Sequence, residues 1–200
     1  MQSFYDFFRR SMAKFVCFSD EEWALFCSFL SFQQLEKKEQ FATEGKVCSK
    51  VGFVVSGAAR FYFVKKGVEI SNYFSFEGDF ISSYKSFLTK EPSAITVEAL
   101  EPLQLLCYTA EGMQQMLAHD KLAYKMERFG RLIGEYLICC YEDRLMSFIS
   151  QTPEERYCNL LQSGYDIVQR IPQHYIANYL GITPVSLSRI RKRLLTARVK

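Results

Sequence analysis

No proline stands between Pro102 and Pro153, and the chain on either side of that interval follows two different patterns. Proline breaks a helix interior because it lacks an amide donor and clashes with the preceding turn, so its absence leaves room for one long helix. Leu122, Met126, Phe129, Ile133, Tyr136 and Cys140 recur there at alternating steps of four and three, the seam spacing of a coiled coil. Leu132, Leu137, Leu145 and Phe148 offer a second apolar face. The spacing predicts a long helix over 119–150 with the first stripe toward a twin chain and the second toward its own domain.

Before that interval the runs are short and β-rich: "VGFVVSG", "AARFYFVKKG", "VEISNYFSFEGD" and "ITVEALEPLQLLCYT", punctuated by Gly45, Gly57, Gly67 and Gly78. Closely spaced short strands with glycine turns predict an antiparallel roll or barrel. Ser19 to Glu22 has capping-box spacing ahead of Trp23, Phe26, Cys27 and Leu30, which predicts a short amphipathic helix. Thr152-Pro153-Glu154-Glu155 places a cap, a proline at the first helical position and a glutamate three residues on, the start of a further helix and a new domain.

The stretch "YIANYLGITPVSLSRIRKRL" reads as two short helices broken at Gly181. Ala177, four residues earlier, permits a close crossing, and glycine takes the left-handed backbone of a tight turn. Thr183 caps the second helix, with Pro184 at its first turn. Leu187, Ile190 and Leu194 point inward. Thr183, Val185, Ser186, Ser188, Arg189, Arg191, Lys192 and Arg193 are left as candidate DNA contacts, the early ones at base edges and the later ones at phosphates.

Charge supports that reading. No acidic residue follows Asp166, whereas Arg170, Arg189, Arg191, Lys192, Arg193, Arg198 and Lys200 do, although the whole chain is only +3. A basic end on an acidic body points to a polyanion. A solvated basic hairpin would explain the charge but not the order of alanine, glycine, cap and basic helix. The seven cysteines lack a C-x-x-C pair and sit in apolar patterns, as reduced core residues of a cytoplasmic protein do. The first residues lack the apolar core of a signal peptide, and no apolar run reaches membrane-spanning length. A cupin-type enzyme would need several histidines on strands, and 32–108 contains none, so neither enzyme activity nor a bound metal is expected.

In this order of parts, and in "FVVSGAARFYF", "EGDF" and the helix-turn-helix, the chain resembles the cyclic-AMP receptor protein/Fnr (Crp/Fnr) family of bacterial transcription regulators. The resemblance implies an α+β fold. Residues 1–118 would form a cyclic-nucleotide-binding-like antiparallel β-roll, 119–150 a dimerisation helix, and 151–200 a winged-helix-like DNA-binding domain with its wing reduced, so that the 198–200 tail shares the phosphate contacts. It implies a homodimer on a near-palindromic operator, RNA polymerase as a further partner, an unidentified small effector and no membrane. Gly78, Asp79, Phe80, Ser93 and Ala94 match the family's effector pocket, but Pro92 replaces the arginine that holds the cyclic phosphate. A buried phosphate needs a charge-assisted donor, so cyclic AMP is not the expected ligand; the alternative is a cyclic-nucleotide-responsive regulator with a divergent phosphate cassette, using Lys85 or Lys90. Cys17, Cys27 and Cys48 are too scattered for an iron-sulfur cluster, and His119 and His174 are poor haem ligands, so no cofactor is expected. In the second helix, Pro184 and Val185 depart from the family, while Arg189 matches its base-reading arginine.

Overall fold

The structure, a computed structural model, describes residues 2–162 and 167–198. It opens with two helices, α1 (Gln2–Met12) and α2 (Asp20–Cys27). The predicted capping box forms at α2: Ser19 Oγ accepts from the Glu22 amide (3.2 Å), and the Ser19 amide donates to Glu22 Oε2 (2.6 Å). Eight strands follow: β1 (Ser31–Leu35), β2 (Gln40–Ala42), β3 (Lys50–Ser56), β4 (Ala59–Lys65), β5 (Val68–Ser75), β6 (Phe80–Ile81), β7 (Thr96–Ala99) and β8 (Leu103–Thr109), with the short helix α3 (Tyr84–Thr89) between β6 and β7. All pair antiparallel in two four-stranded sheets, ordered β1-β8-β3-β6 and β2-β7-β4-β5.

The unbroken apolar run in β3 explains its central place. Val54 points into the core between the sheets with Leu35, Phe41, Phe61, Leu103 and Leu105, while Val51, Phe53 and Val55 face a second core under the helices. A strand covered on both faces has no polar side to show. Gly57 makes the turn into β4: its φ is +100°, and a Cβ there would run into the Pro102 carbonyl. The second core is aromatic. Phe8 of α1 is fully buried, stacked on Phe53 at 4.2 Å and edge-on to Trp23, so the first helix is part of the roll's lid. The sequence reading gave that segment no structural role.

After α4 (Ala110–Ala118), the long helix α5 runs from Ala123 to Ser150, about 42 Å at 1.5 Å per residue. The predicted seam is corrected here. Leu122, Met126 and Phe129 are buried in the aromatic core of their own chain and Ile133 packs on the same core, so these four are covered without a twin, whereas Tyr136 is 56% exposed. Tyr136 lies edge-on to Phe15, and Cys140 faces a cavity described below. Heptad spacing marks an apolar face but does not say which body covers it. The exposed apolar stripe is instead Ile138, Tyr141, Leu145 and Ile149, 61–71% exposed, in line with Gly134 and about a third of a turn away from the predicted one. Leu145, expected to face inward, therefore faces out.

The chain ends in α6 (Pro153–Gln162), α7 (Ile167–Arg170), α8 (Gln173–Leu180) and α9 (Pro184–Arg198). Thr152 caps α6 as predicted, exchanging hydrogen bonds with Glu155 at 2.7 and 3.3 Å. The side-chain contacts expected of the 198–200 tail lie outside the described residues.

Candidate nucleic-acid interface and roll cavity

Gly181 has φ +73°, and the Ile182 amide reaches back to the Ala177 carbonyl (3.0 Å), closing the left-handed end of α8. Ala177 is fully buried where the helices cross. Thr183 Oγ1 accepts from the Ser186 amide (3.1 Å) and lies 3.0 Å from Ser186 Oγ, so these two hydroxyls cap α9 before they touch anything else. Leu187 and Ile190 are buried and Leu194 packs behind them. Burial of that face brings Val185, Ser188, Arg189 and Lys192 together in solvent; Val185 is 61% exposed. Two predicted contacts are compromised. Arg193 bonds Glu154 at the start of α6, with Nε at 3.1 Å, and Arg191 is half-buried.

Arg170, counted in the basic end, faces the roll instead. It donates twice to Glu77 (2.9 Å each) and also bonds Glu101. Burial opposes ionisation of Glu77, but Arg170 and the Gly57 amide outweigh it and hold the carboxyl below its usual range. A second joint is centred on Arg60 in β4, only 2% exposed. Its Nε donates to Glu98 (3.0 Å) and its Nη2 to Glu69 (2.6 Å). Its guanidinium lies between the rings of Tyr62 and Tyr175, 4.0 and 3.9 Å from their centroids. Tyr175 belongs to α8, as do Tyr179, which packs on Phe74, and Asn178, which donates to the Glu69 carbonyl. The first helix of the helix-turn-helix therefore rests on the β4–β5 hairpin, and α9 stays open. No sequence signal marks these pairs, whose hydrogen-bonded members lie up to 109 residues apart.

A cavity of about 640 Å³ opens between the roll and α5. Of the predicted pocket residues, Phe80 and Ala94 line it. Gly78 and Asp79 do not: they close the turn before β6, where Asp79 accepts from the Phe76 amide (2.9 Å) and Gly78 takes φ +92°. Ser93 is buried behind the wall, bonded to Ser83 Oγ at 2.7 Å. The matching by motif placed these three a few residues from the lining, which comes from Ile81, Ser82 and Ser83 and from α5 itself. Of the lysines considered as phosphate partners, Lys85 stands at the cavity border with its side chain 83% exposed beside Glu91, while Lys90 lies over the Phe87 ring and does not line the cavity. His119 ends α4 and accepts from the Lys121 amide. Among the described residues no group of three His, Cys, Asp or Glu side chains is placed to hold a metal ion, and no helix is long and apolar enough to cross a membrane.

Residues 32–120 match the family described as cyclic nucleotide-binding domain. A search of curated protein sequences gave no match. Among solved structures, FixK2 from Bradyrhizobium japonicum superposes with a TM-score of 0.67 at 20% identity, over 84% of this chain and 85% of that one. A CooA mutant from Carboxydothermus hydrogenoformans gives 0.67 at 17% identity, covering 90% and 82%. The Thermus thermophilus catabolite activator protein gives 0.54 at 20% identity, covering 94% and 88%. With a roll that matches the cyclic nucleotide-binding domain family, a long helix and a terminal helix-turn-helix, the chain has the fold of Crp/Fnr-type regulators.

Proposed function

We propose that this chain is a DNA-binding transcription regulator and not an enzyme, working as a homodimer in the cytoplasm on a near-palindromic operator. Three units carry the work: a sensory roll (1–118), a dimerisation helix (119–150) and a DNA-binding domain (151–200). One observation carries the reading. α9 follows a left-handed turn, is capped by Thr183, buries Leu187 and Ile190, and presents Val185, Ser188, Arg189 and Lys192 on one open face. On this reading Arg189 bonds guanine, Val185 meets a thymine methyl, and Lys192 meets phosphate.

The stripe of Gly134, Ile138, Tyr141, Leu145 and Ile149 supports pairing with a second copy, because four large apolar side chains at helical spacing lie open to water. Two recognition helices would then stand about 34 Å apart, one turn of duplex. The cavity touches both α5 and, through Asn72 and Tyr73, the hairpin on which α8 rests. An effector there would bias the population of dimers whose spacing fits DNA. RNA polymerase is a further partner of such a complex. A cyclic-nucleotide-responsive variant of this reading would draw its phosphate partner from Lys85, which borders the cavity, and not from Lys90, which does not line it.

The test is selection of bound sequences from random duplexes with the full chain. A palindromic consensus is expected. Arg189→Ala should relax one base pair per half-site and cost about 1–3 kcal/mol on that site, whereas Lys192→Ala should weaken all sequences alike. Equal loss on selected and random DNA for Arg189→Ala would refute its role.

A further inference from the structure

The end of the long helix, the start of the terminal domain and the helix-turn-helix meet at one point, where two arginines converge. Helix α8 ends at Leu180 because Gly181 turns left-handed, and the amides of Gly181 and Ile182 return to the carbonyls of Asn178 and Ala177. The carbonyls of Tyr179 and Leu180 are met from outside the helix, by cations at the negative end of its dipole. Arg156 of α6 donates from Nη2 to the Leu180 carbonyl (3.0 Å) and from Nη1 to the Gln151 carbonyl (2.6 Å). Gln151 closes α5, so one guanidinium ties together the C-terminal ends of two helices. Arg144 of α5 directs Nη2 to the Tyr179 carbonyl (3.4 Å) and lies over the Tyr179 ring at 3.9 Å.

Phe148 completes the joint. Both guanidiniums lie over its ring, Arg144 at 5.0 Å and Arg156 at 4.8 Å, and its edge is 3.4 Å from where a Cβ on Gly181 would stand. The arrangement has a cost. Burial works against the charge of Arg144, as does the nearby Arg156, and Arg156 Nε is buried without a hydrogen-bond partner. A left-handed glycine is enough to end a helix, so bringing two cations here serves something beyond capping α8. What it adds is a fixed attachment of α8 to α5. Phe148, three and seven residues beyond Leu145 and Tyr141, shares their side of α5 and is 42% exposed, and Arg144 borders the roll cavity. The open stripe, the cavity and the turn before α9 therefore share one joint.

We propose that Arg156 is a positioning residue for DNA reading: by bonding the ends of α5 and α8 together it fixes the angle of α9 to the long helix, and with it the separation of half-sites that two chains accept. The assignment rests on the regulator reading above and names what sets its geometry. Arg156→Met keeps the aliphatic stem and removes both hydrogen bonds. Arg156→Lys keeps the charge and replaces the fork with a single nitrogen. The intact chain and both variants are titrated onto duplexes carrying two selected half-sites at spacings of about 9 to 13 base pairs, and onto a duplex carrying one half-site. The native chain should favour a spacing of about one turn over the poorest by about tenfold or more; Arg156→Met should reduce that ratio to about threefold or less while its affinity for the single half-site changes by less than about twofold. Arg156→Lys should act in the same direction to a smaller extent. Without DNA, hydrogen exchange at the Gly181 and Ile182 amides should quicken about tenfold in Arg156→Met while strands β3 and β8 keep their protection. The proposal is overturned by a native chain with no spacing preference, by a preference that survives Arg156→Met, by equal loss on every duplex including the single half-site, or by unchanged exchange at Gly181 and Ile182. A native chain that ignores every duplex refutes the regulator reading and this proposal with it; a native chain and an Arg156→Met variant that read spacing equally well refute the proposal alone.

Discussion

Arg60 is the residue whose loss the structure quantifies best. Its guanidinium is 2% exposed and pairs with Glu98, whose side chain is 10% exposed, and with Glu69, which is 46% exposed. Burial works against its charge, but the two carboxylates outweigh burial and keep it protonated. Replacing it by methionine preserves much of the volume and leaves the Glu98 carboxylate buried without a cation, a defect that costs about 3–5 kcal/mol. The Glu69 pair adds little, since water screens it. Loss of packing between the Tyr62 and Tyr175 rings contributes on the order of 1 kcal/mol more. Urea unfolding of Arg60→Met should therefore show a loss of about 3 kcal/mol or more, equivalent to at least roughly 6 °C in Tm for a chain of this size. Arg60→Met/Glu98→Gln should recover most of it, because the uncompensated charge has gone. A single variant within 1 kcal/mol of the native chain, or a double variant no more stable than the single, would refute the assignment of the cost to Glu98.

Other perturbations test other joints. Leu145→Glu, on the exposed stripe, should leave the melting curve nearly unchanged but shift sedimentation to monomer, whereas Met126→Glu, in the aromatic core, should unfold the chain. Gly181→Ala forces a Cβ into φ +73° and to 3.4 Å from the Phe148 ring, and should cost on the order of 1 kcal/mol by chemical denaturation. Glu77 has its folded pKa held below the ordinary 4.5, so the stabilisation it supplies is complete above that value and is lost as pH falls through the folded pKa. Acid titration should loosen the docking of α7 only below that value and leave it unchanged near neutral pH, and Glu77→Gln should flatten that part of the profile.

Much of this molecule is written locally. The Ser19 and Thr152 capping boxes, the strands between glycine turns, the Gly181 break and the inward face of α9 all follow from interactions spanning four residues or fewer, which a sequence displays directly. The readings that missed were ones that needed to know a neighbour. The heptad of α5 was legible as an apolar face, yet the N-terminal helices and the roll cover Leu122 to Phe129, so the open stripe lies elsewhere. Gly78 and Asp79 carry a recognisable motif, but they close a turn and do not line the cavity.

Charge divides the same way. The sequence determined that the last segment is basic and that α9 has one polar face, because composition and period are properties of the chain alone. Only the tertiary structure decided which cations remain free: Arg170 is consumed by Glu77 and Glu101, Arg193 by Glu154 and Arg60 by Glu69 and Glu98, while Arg189 and Lys192 stay exposed. Ion pairs between residues far apart in the chain form only after folding has paid their closure entropy, and nothing in local order records which partners will meet.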